Sequence, residues 1–341
     1  MAPGSTTASI ILASRFFILG LSFWSNHVEA ASPPLSFSFD FSNTSNYRLQ
    51  DLRFEGDASL NGELVDLTCN PTYRNCSGRM SYNHRVPLYD SNTGEVASFV
   101  TTFTFAINLL PNTIGKSKGD GMTFFLSGYP SRLPPGSHNS HLGLTNNSKI
   151  DASGTDRFLA VEFDTYANPL VDATQATDHM GIDLNSITSV MTTRLPAYSL
   201  NGTMTATITY NSATATLEAT LYFDPNRSLH PYSVKTQLPD RLDALLPSEV
   251  AVGFSASTGG SAELHQIHAW SFNSTMAAGG FLDDQDYSFD EPPMHARIPA
   301  PRSNTEPAPP APPLDDDALA YHNKDAKDDS YDFIGCVSHV W

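Results

Sequence analysis

Residues 161–183, VEFDTYANPLVDATQATDHMGID, carry the side chains best suited to chemistry in this chain. Carboxylates, an amide and an imidazole stand close together there: Glu162, Asp164, Asn168, Asp172, Asp178 and His179. Three interpretations of this set are open: a pair of catalytic acids, a metal centre or a solvated polar face.

The segment FLAVEFDTY, residues 158–166, is predicted to be a β-strand. Side chains alternate along a strand, so Leu159, Val161 and Phe163 are expected to face the core. Glu162 and Asp164 then share the opposite face, roughly 6.5–7 Å apart at their Cα atoms from a rise of ~3.3 Å per residue. Keeping two neighbouring carboxylates ionised costs free energy unless a positive charge lies nearby.

A retaining glycosidase needs two carboxyl groups about 5 Å apart, and laminarinase-type hydrolases place them in a Glu-x-Asp-x-x-Glu pattern. Here Ala167 occupies the third acidic position, which disfavours hydrolysis. A solvated face does not explain why so many polar groups converge on one strand end. A metal centre does, because oxygen ligands suit calcium and an imidazole among carboxylates suits a transition metal.

The elements around this stretch are predicted to be strands. Apolar residues alternate through 99–107, 204–210 and 217–223, and the last two runs flank the short turn NSA, as in a hairpin. EVAVGFSAS and HAWSFN indicate two more strands, and no long helical segment precedes residue 274. We therefore expect an all-β fold, an antiparallel β-sandwich.

The termini indicate the compartment. The apolar run 8–24, followed by Val28-Glu29-Ala30, predicts a signal peptide over residues 1–31. No later run approaches the ~20 apolar residues of a membrane helix, so we expect a secreted mature chain without a membrane span. Residues 275–341 are Pro-rich and then acidic, which predicts a disordered tail.

Other features agree with secretion. Cys69 and Cys76 flank a turn-rich segment and are expected to form a disulfide, with Cys336 left over. The net charge of -17 argues against nucleic acid and anionic membranes as partners. Glycosylation is predicted at sequons of the form Asn-x-Ser/Thr: Asn43, Asn146, Asn201, Asn226 and Asn273.

Several motifs in order resemble the legume-type (L-type) lectins: FVTTFTF, KGDGMTFFLS, LGL, AVEFDTYANP, DHMGIDLNS and EVAVGFSASTG. The resemblance covers residues 35–273 and is nearest to the ectodomain of plant lectin receptor-like kinases, without their membrane helix or kinase domain. It implies a plant source, a concanavalin-like jelly roll, calcium and manganese as cofactors, and glycan binding without catalysis. It also implies secretion to the apoplast and pairing of two copies through sheet edges.

The resemblance assigns roles to particular residues. Manganese would be held by Glu162, Asp164, Asp172 and His179. Calcium would be held by Asp164, the carbonyl of Tyr166, Asn168 and Asp172. Asp172 is preferred to Asp178 as the ligand shared by both metals, and Asp178 is expected to be a loop residue.

Carbohydrate would be bound by side chains and by backbone amides of two loops, from these residues: Asp120, Ser140, Tyr166, Asn168, Gly260, Ser261 and Ala262. The resemblance also implies a cis peptide bond directly before Asp120. Ser140 stands where a glycine is usual, and a positive φ there would be unfavourable for serine. That departure leaves open a degenerate lectin domain that serves as a protein-interaction module.

Overall fold

The computed structural model describes residues 34–69, 75–109, 118–172, 176–225, 229–261 and 263–277. The predicted signal peptide, the part of the predicted tail beyond residue 277, Asn226 and Ala262 lie outside these described residues. Within the described part of the chain, no helix is long and apolar enough to cross a membrane.

The regular secondary structure of the described residues is almost entirely β-strand. In chain order they are β1 (Pro34–Asp40), β2 (Leu52–Gly56), β3 (Ser59–Asn61), β4 (Leu64–Asp66), β5 (Ser77–Tyr82), β6 (Val86–Pro87), β7 (Phe99–Asn108), β8 (Gly121–Gly128), β9 (Phe158–Asp164), β10 (His179–Leu184), β11 (Met191–Arg194), β12 (Gly202–Asn211), β13 (Thr216–Phe223), β14 (Tyr232–Gln237), β15 (Glu249–Ser257) and β16 (Leu264–Ala277). One α-helical turn, α1 (Leu242–Leu245), lies between β14 and β15.

The strands form two sheets in which every pairing is antiparallel. Sheet 1 has the order β14-β13-β12-β7-β16-β4-β3, with β1 also paired to β16. Sheet 2 has the order β11-β10-β9-β8-β15-β5-β2, with β6 also paired to β15. The predicted all-β sandwich and the predicted hairpin, now β12 and β13, are confirmed.

Aromatic side chains from the two sheets meet in the main core. The ring of Phe103 on β7 lies 4.8 Å from that of Phe254 on β15. The ring of Phe254 in turn lies 5.0 Å from that of Trp270 on β16. Trp270 Nε1 donates a hydrogen bond of 2.9 Å to Thr101 Oγ1, so the one polar atom of this ring is satisfied.

Strand β9 carries apolar residues on both of its faces. Leu159, Val161 and Phe163 join the main core, as their alternation predicts, while Phe158 and Ala160 join a second apolar cluster on the far side of sheet 2. The remaining even positions, Glu162 and Asp164, are also buried, at 3% and 2% exposure. They do not lie on a solvated face.

The register of sheet 2 brings several strand ends to one edge. Gly121 of β8 pairs with Asp164 of β9, Asp164 pairs with His179 of β10, and His179 pairs with Arg194 of β11. Since these residues begin or end their strands, the loops that contain residues 118–120, 165–178 and 195–201 leave the sheet side by side.

Candidate functional site

Three candidate metal ligands come together on the β9–β10 hairpin. Asp164 pairs with His179, and Glu162 pairs with Gly181, so the side chains of Glu162, Asp164 and His179 stand on one face. Ligand atoms of these three buried residues lie within 4.8 Å of one another. Nε2 of His179 is 3.4 Å from Oε1 of Glu162.

Sequence reasoning missed two further residues beside this cluster. The Ser189 hydroxyl lies 2.6 Å from both Glu162 Oε1 and Asp183 Oδ1, and so brings these carboxylates together. A Cβ atom on Gly181 would collide with Glu162 and Ser189, so only glycine permits the approach. The alternation of His179, Gly181 and Asp183 along β10 could have identified Asp183.

The pKa values show that the neighbouring carboxylates of this cluster repel one another. Burial, followed by repulsion from Glu162, raises the pKa of both Asp164 and Asp183 well above its usual range. Burial also raises the pKa of Asp172 to about 6, against a hydrogen bond from the Asn168 amide. Burial disfavours the charged form of His179, but Glu162 and Asp172 outweigh it and raise the pKa of the imidazole. A cation among these groups would relieve the repulsion.

The loop after β9 is organised by its own carboxylates. Asp164 Oδ1 accepts a hydrogen bond of 2.7 Å from the amide of Tyr166, and the Asp172 carboxylate accepts one from the amide of Asn168. Oδ1 of Asn168 is buried and accepts no hydrogen bond from any residue that the structure describes. The Tyr166 ring is 39% exposed. An oxygen ligand and an aromatic face are therefore both available here.

Asp120 stands beside this loop. The peptide bond between Gly119 and Asp120 is cis. The Asp120 amide donates to Ser257 O at 3.2 Å, and its carbonyl accepts from the Thr165 amide at 2.9 Å. Burial, with repulsion from Glu263 and Asp172, raises the pKa of Asp120 to about 7.

The backbone strain expected at Ser140 falls elsewhere, so that expectation is wrong. The left-handed conformation belongs to Asn139, with φ 58, and Ser140 is not among the described residues of positive φ. Asparagine tolerates this region better than serine does. The Asn139 side chain also enters the site, because a Cβ atom on Gly259 would collide with Asn139 Oδ1 and meet Asp120 Oδ2 at 2.8 Å. Sequence reasoning did not identify Asn139.

In the loop between β15 and β16, Gly260 is exposed and Ser261 half-buried, while Ala262 lies outside the described residues. The buried Glu263 follows, and its Oε1 accepts a hydrogen bond of 2.5 Å from Thr165 Oγ1. His265 Nε2 lies 3.0 Å from the same oxygen. Glu263, which sequence reasoning also missed, thus connects this loop to the residue that follows Asp164.

Asp178 lies in the loop that ends at β10, as expected, but it has a specific structural partner. Its carboxylate is fully buried and forms an ion pair with the ammonium group of Lys118. Its second oxygen accepts a hydrogen bond of 2.7 Å from the Leu200 amide. These contacts direct Asp178 away from the candidate ligands.

The structure contains the disulfide between Cys69 and Cys76, with Cα atoms 5.7 Å apart. Of the predicted glycosylation sites that it describes, Asn43, Asn201 and Asn273 are exposed and Asn146 is half-buried.

Comparison with known proteins gives the class to which this fold and site belong. The legume lectin domain matches residues 35–285. Agglutinin-2 of Cladrastis kentukea is 36% identical over 255 residues, which are 72% of this chain and 83% of that protein. A lectin of Pisum sativum is 36% identical over 232 residues, which are 67% of this chain and 80% of that protein.

Solved structures agree. A peanut lectin with a 9mer peptide matches with a TM-score of 0.62 and 33% identity over 72% of this chain and 98% of that one. A lectin from Bauhinia forficata in complex with GalNAc matches with a TM-score of 0.59 and 29% identity over 71% of this chain and 99% of that one. The fold and site define a β-sandwich lectin. The chain belongs to the legume lectin family, whose members are not enzymes, and the hydrolase alternative falls with that assignment.

Proposed function

We propose that this protein is a secreted lectin that binds glycans in a calcium- and manganese-dependent manner. The observation that carries the proposal is the placement of a buried acidic cluster directly beside an aspartate, an amide and an exposed aromatic ring. These groups stand at one edge of sheet 2, where the loops after β9 and before β8 meet. The GalNAc complex of the Bauhinia forficata lectin is consistent with glycans as ligands.

The donor set fits the proposed metals. Glu162, Asp164, Asp172 and His179 offer the mixed oxygen and nitrogen ligands that suit manganese. Asp164, the carbonyl of Tyr166, Asn168 and Asp172 offer the oxygen ligands that suit calcium. Asn168 Oδ1, which has no hydrogen-bond partner in the described part of the chain, and the raised pKa values of the carboxylates support a cation at this place.

The proposed sugar contacts lie around Asp120. Its Oδ2 is buried and has no hydrogen-bond partner among the described residues, so it is free to accept from a sugar hydroxyl. The exposed ring of Tyr166 would cover the C–H face of a pyranose. Backbone amides at Ser140, Gly260, Ser261 and Ala262 complete the proposed set.

A protein-interaction module that has lost sugar binding is the second candidate. It rested on strain at Ser140, and the left-handed φ at Asn139 removes that reason. Secretion and glycosylation remain part of the proposal and rest on the sequence features, while pairing of two copies through sheet edges rests on the family resemblance.

The test is a glycan-array measurement on the secreted domain, residues 35–273, with calcium and manganese and again after chelation. We expect binding that chelation abolishes and that returned metals restore. Asp120→Asn should abolish binding, whereas Asp151→Asn, an exposed residue, should not. A metal-loaded domain that binds no glycan would favour the protein-interaction module.

A further inference from the structure

A buried ion pair joins the segment that precedes Asp120 to the segment that precedes His179. The ammonium group of Lys118 contacts the carboxylate of Asp178, and these side chains are only 3% and 0% exposed. Lys118 lies two residues before Asp120, and Asp178 directly precedes His179. Since β9 separates β8 from β10 in sheet 2, the Lys118 side chain reaches across the end of β9.

Both partners are held by further contacts. Asp178 accepts hydrogen bonds from the amide of Leu200 to Oδ2, at 2.7 Å, and from the amide of Leu195 to its carbonyl, at 3.0 Å. The Lys118 ammonium lies 5.1 Å from the centre of the Tyr198 ring, within range of a cation–π interaction. The pair therefore connects three loops at the edge of the sheet.

We propose that Lys118 and Asp178 are positioning residues that hold the Asp120 segment against the β10 strand in the geometry needed for carbohydrate. This inference rests on the proposed function. The ion pair links the proposed sugar-binding segment directly to the proposed metal-binding hairpin. This link adds to the one that bound cations would provide.

The burial of the pair distinguishes it from an ordinary surface contact. An exposed ion pair is screened and its long side chains sample many geometries, whereas a buried pair keeps one geometry because each charge needs its partner. Lys235 and Glu218 form an ion pair of 2.8 Å on the surface, with side chains 59% and 39% exposed. This exposed pair serves as the control. Loss of either buried partner alone leaves an unpaired charge, so a neutral double variant is needed.

The experiment compares wild type, Lys118→Met, Asp178→Asn, the double variant and the control Lys235→Met. The amide side chain introduced by Asp178→Asn keeps an acceptor for the Leu200 amide. We expect the double variant to bind calcium and manganese and to unfold closer to wild type than either single variant does, yet to lose at least tenfold in affinity for the array-identified glycan. Lys235→Met should bind like wild type. A double variant with wild-type glycan affinity would show that the pair serves stability alone.

Amide hydrogen exchange provides a readout that needs neither variant nor sugar. If one pair holds both segments, the amides of Asp120 and Leu200 should open together and exchange with matching protection in the wild-type protein. Independent protection of these amides would overturn the inference. A wild type that binds no glycan would defeat the proposed function, while the exchange data would still decide whether Lys118 and Asp178 hold the segment.

Discussion

Replacement of Asp120 by asparagine should stabilise the metal-free protein while abolishing carbohydrate binding. Burial raises the pKa of Asp120 to about 7 from an ordinary value of 3.8, with repulsion from Glu263 and Asp172 adding to it. Its side chain is almost fully covered, at 6% exposure. A rise of about 3 in pKa corresponds to about 4 kcal/mol, because each pKa unit is worth about 1.36 kcal/mol.

The direction of the pH dependence follows from proton binding. The folded state holds its proton on Asp120 more tightly than the unfolded state does. This stabilisation is therefore complete below about pH 4 and is lost as the pH rises to about 7. Asparagine does not ionise, so the advantage of Asp120→Asn in unfolding free energy should grow from below about 1 kcal/mol near pH 4 to about 4 kcal/mol near pH 8.

The assay is urea unfolding of chelated wild type and Asp120→Asn at both pH values. Asp151→Asn, whose side chain is exposed, controls for loss of one negative charge. Returned calcium and manganese should shrink the advantage of Asp120→Asn, because nearby cations favour the ionised carboxylate. Parallel pH dependences for wild type and Asp120→Asn would refute the reasoning, since they would mean that Asp120 ionises without penalty in the folded protein.

Two further substitutions, one of them with a matched control, test the core and the site. Trp270→Ala, at a ring that is 1% exposed, should lower the unfolding free energy by about 3–5 kcal/mol in urea unfolding. Tyr222→Ala, at a residue that is 45% exposed, should lower it far less, and equal effects would contradict the assigned burial. Asn139→Gly keeps the left-handed φ of 58 available and should change stability by less than about 1 kcal/mol. It should, however, broaden the set of glycans bound on an array by opening the space over Gly259, and an unchanged glycan profile would remove Asn139 from the site.

Alternation along single strands predicted the part of the site that lies on one hairpin. The parity of β9 separated Leu159, Val161 and Phe163 from Glu162 and Asp164, and the structure confirms that separation. It did not show that Glu162 and Asp164 are also buried, because their burial depends on residues from outside the strand, such as Ser189 and His179 beside Glu162.

Contacts between distant segments were beyond sequence reasoning. Glu263 reaches Thr165 across 98 positions, and only the order of β8, β9 and β15 in sheet 2 brings the two together. The buried pair of Lys118 and Asp178 was not predicted, because the two residues are 60 positions apart and nothing local in the sequence indicates that they meet. The strain expected at Ser140 was displaced by one residue to Asn139, a shift that depends on the path of the loop rather than on composition.

The separation of the site into a local half and a distant half has a consequence for folding. Glu162, Asp164, Asp172 and His179 all belong to one hairpin and its connection, so this half has low contact order and closes with a small loss of chain entropy. The position of Asp120, by contrast, depends on the pairing of β8 with both β9 and β15, which are distant in sequence from one another. A nascent chain can therefore assemble the acidic hairpin first, and the segment that carries Asp120 then packs against it last.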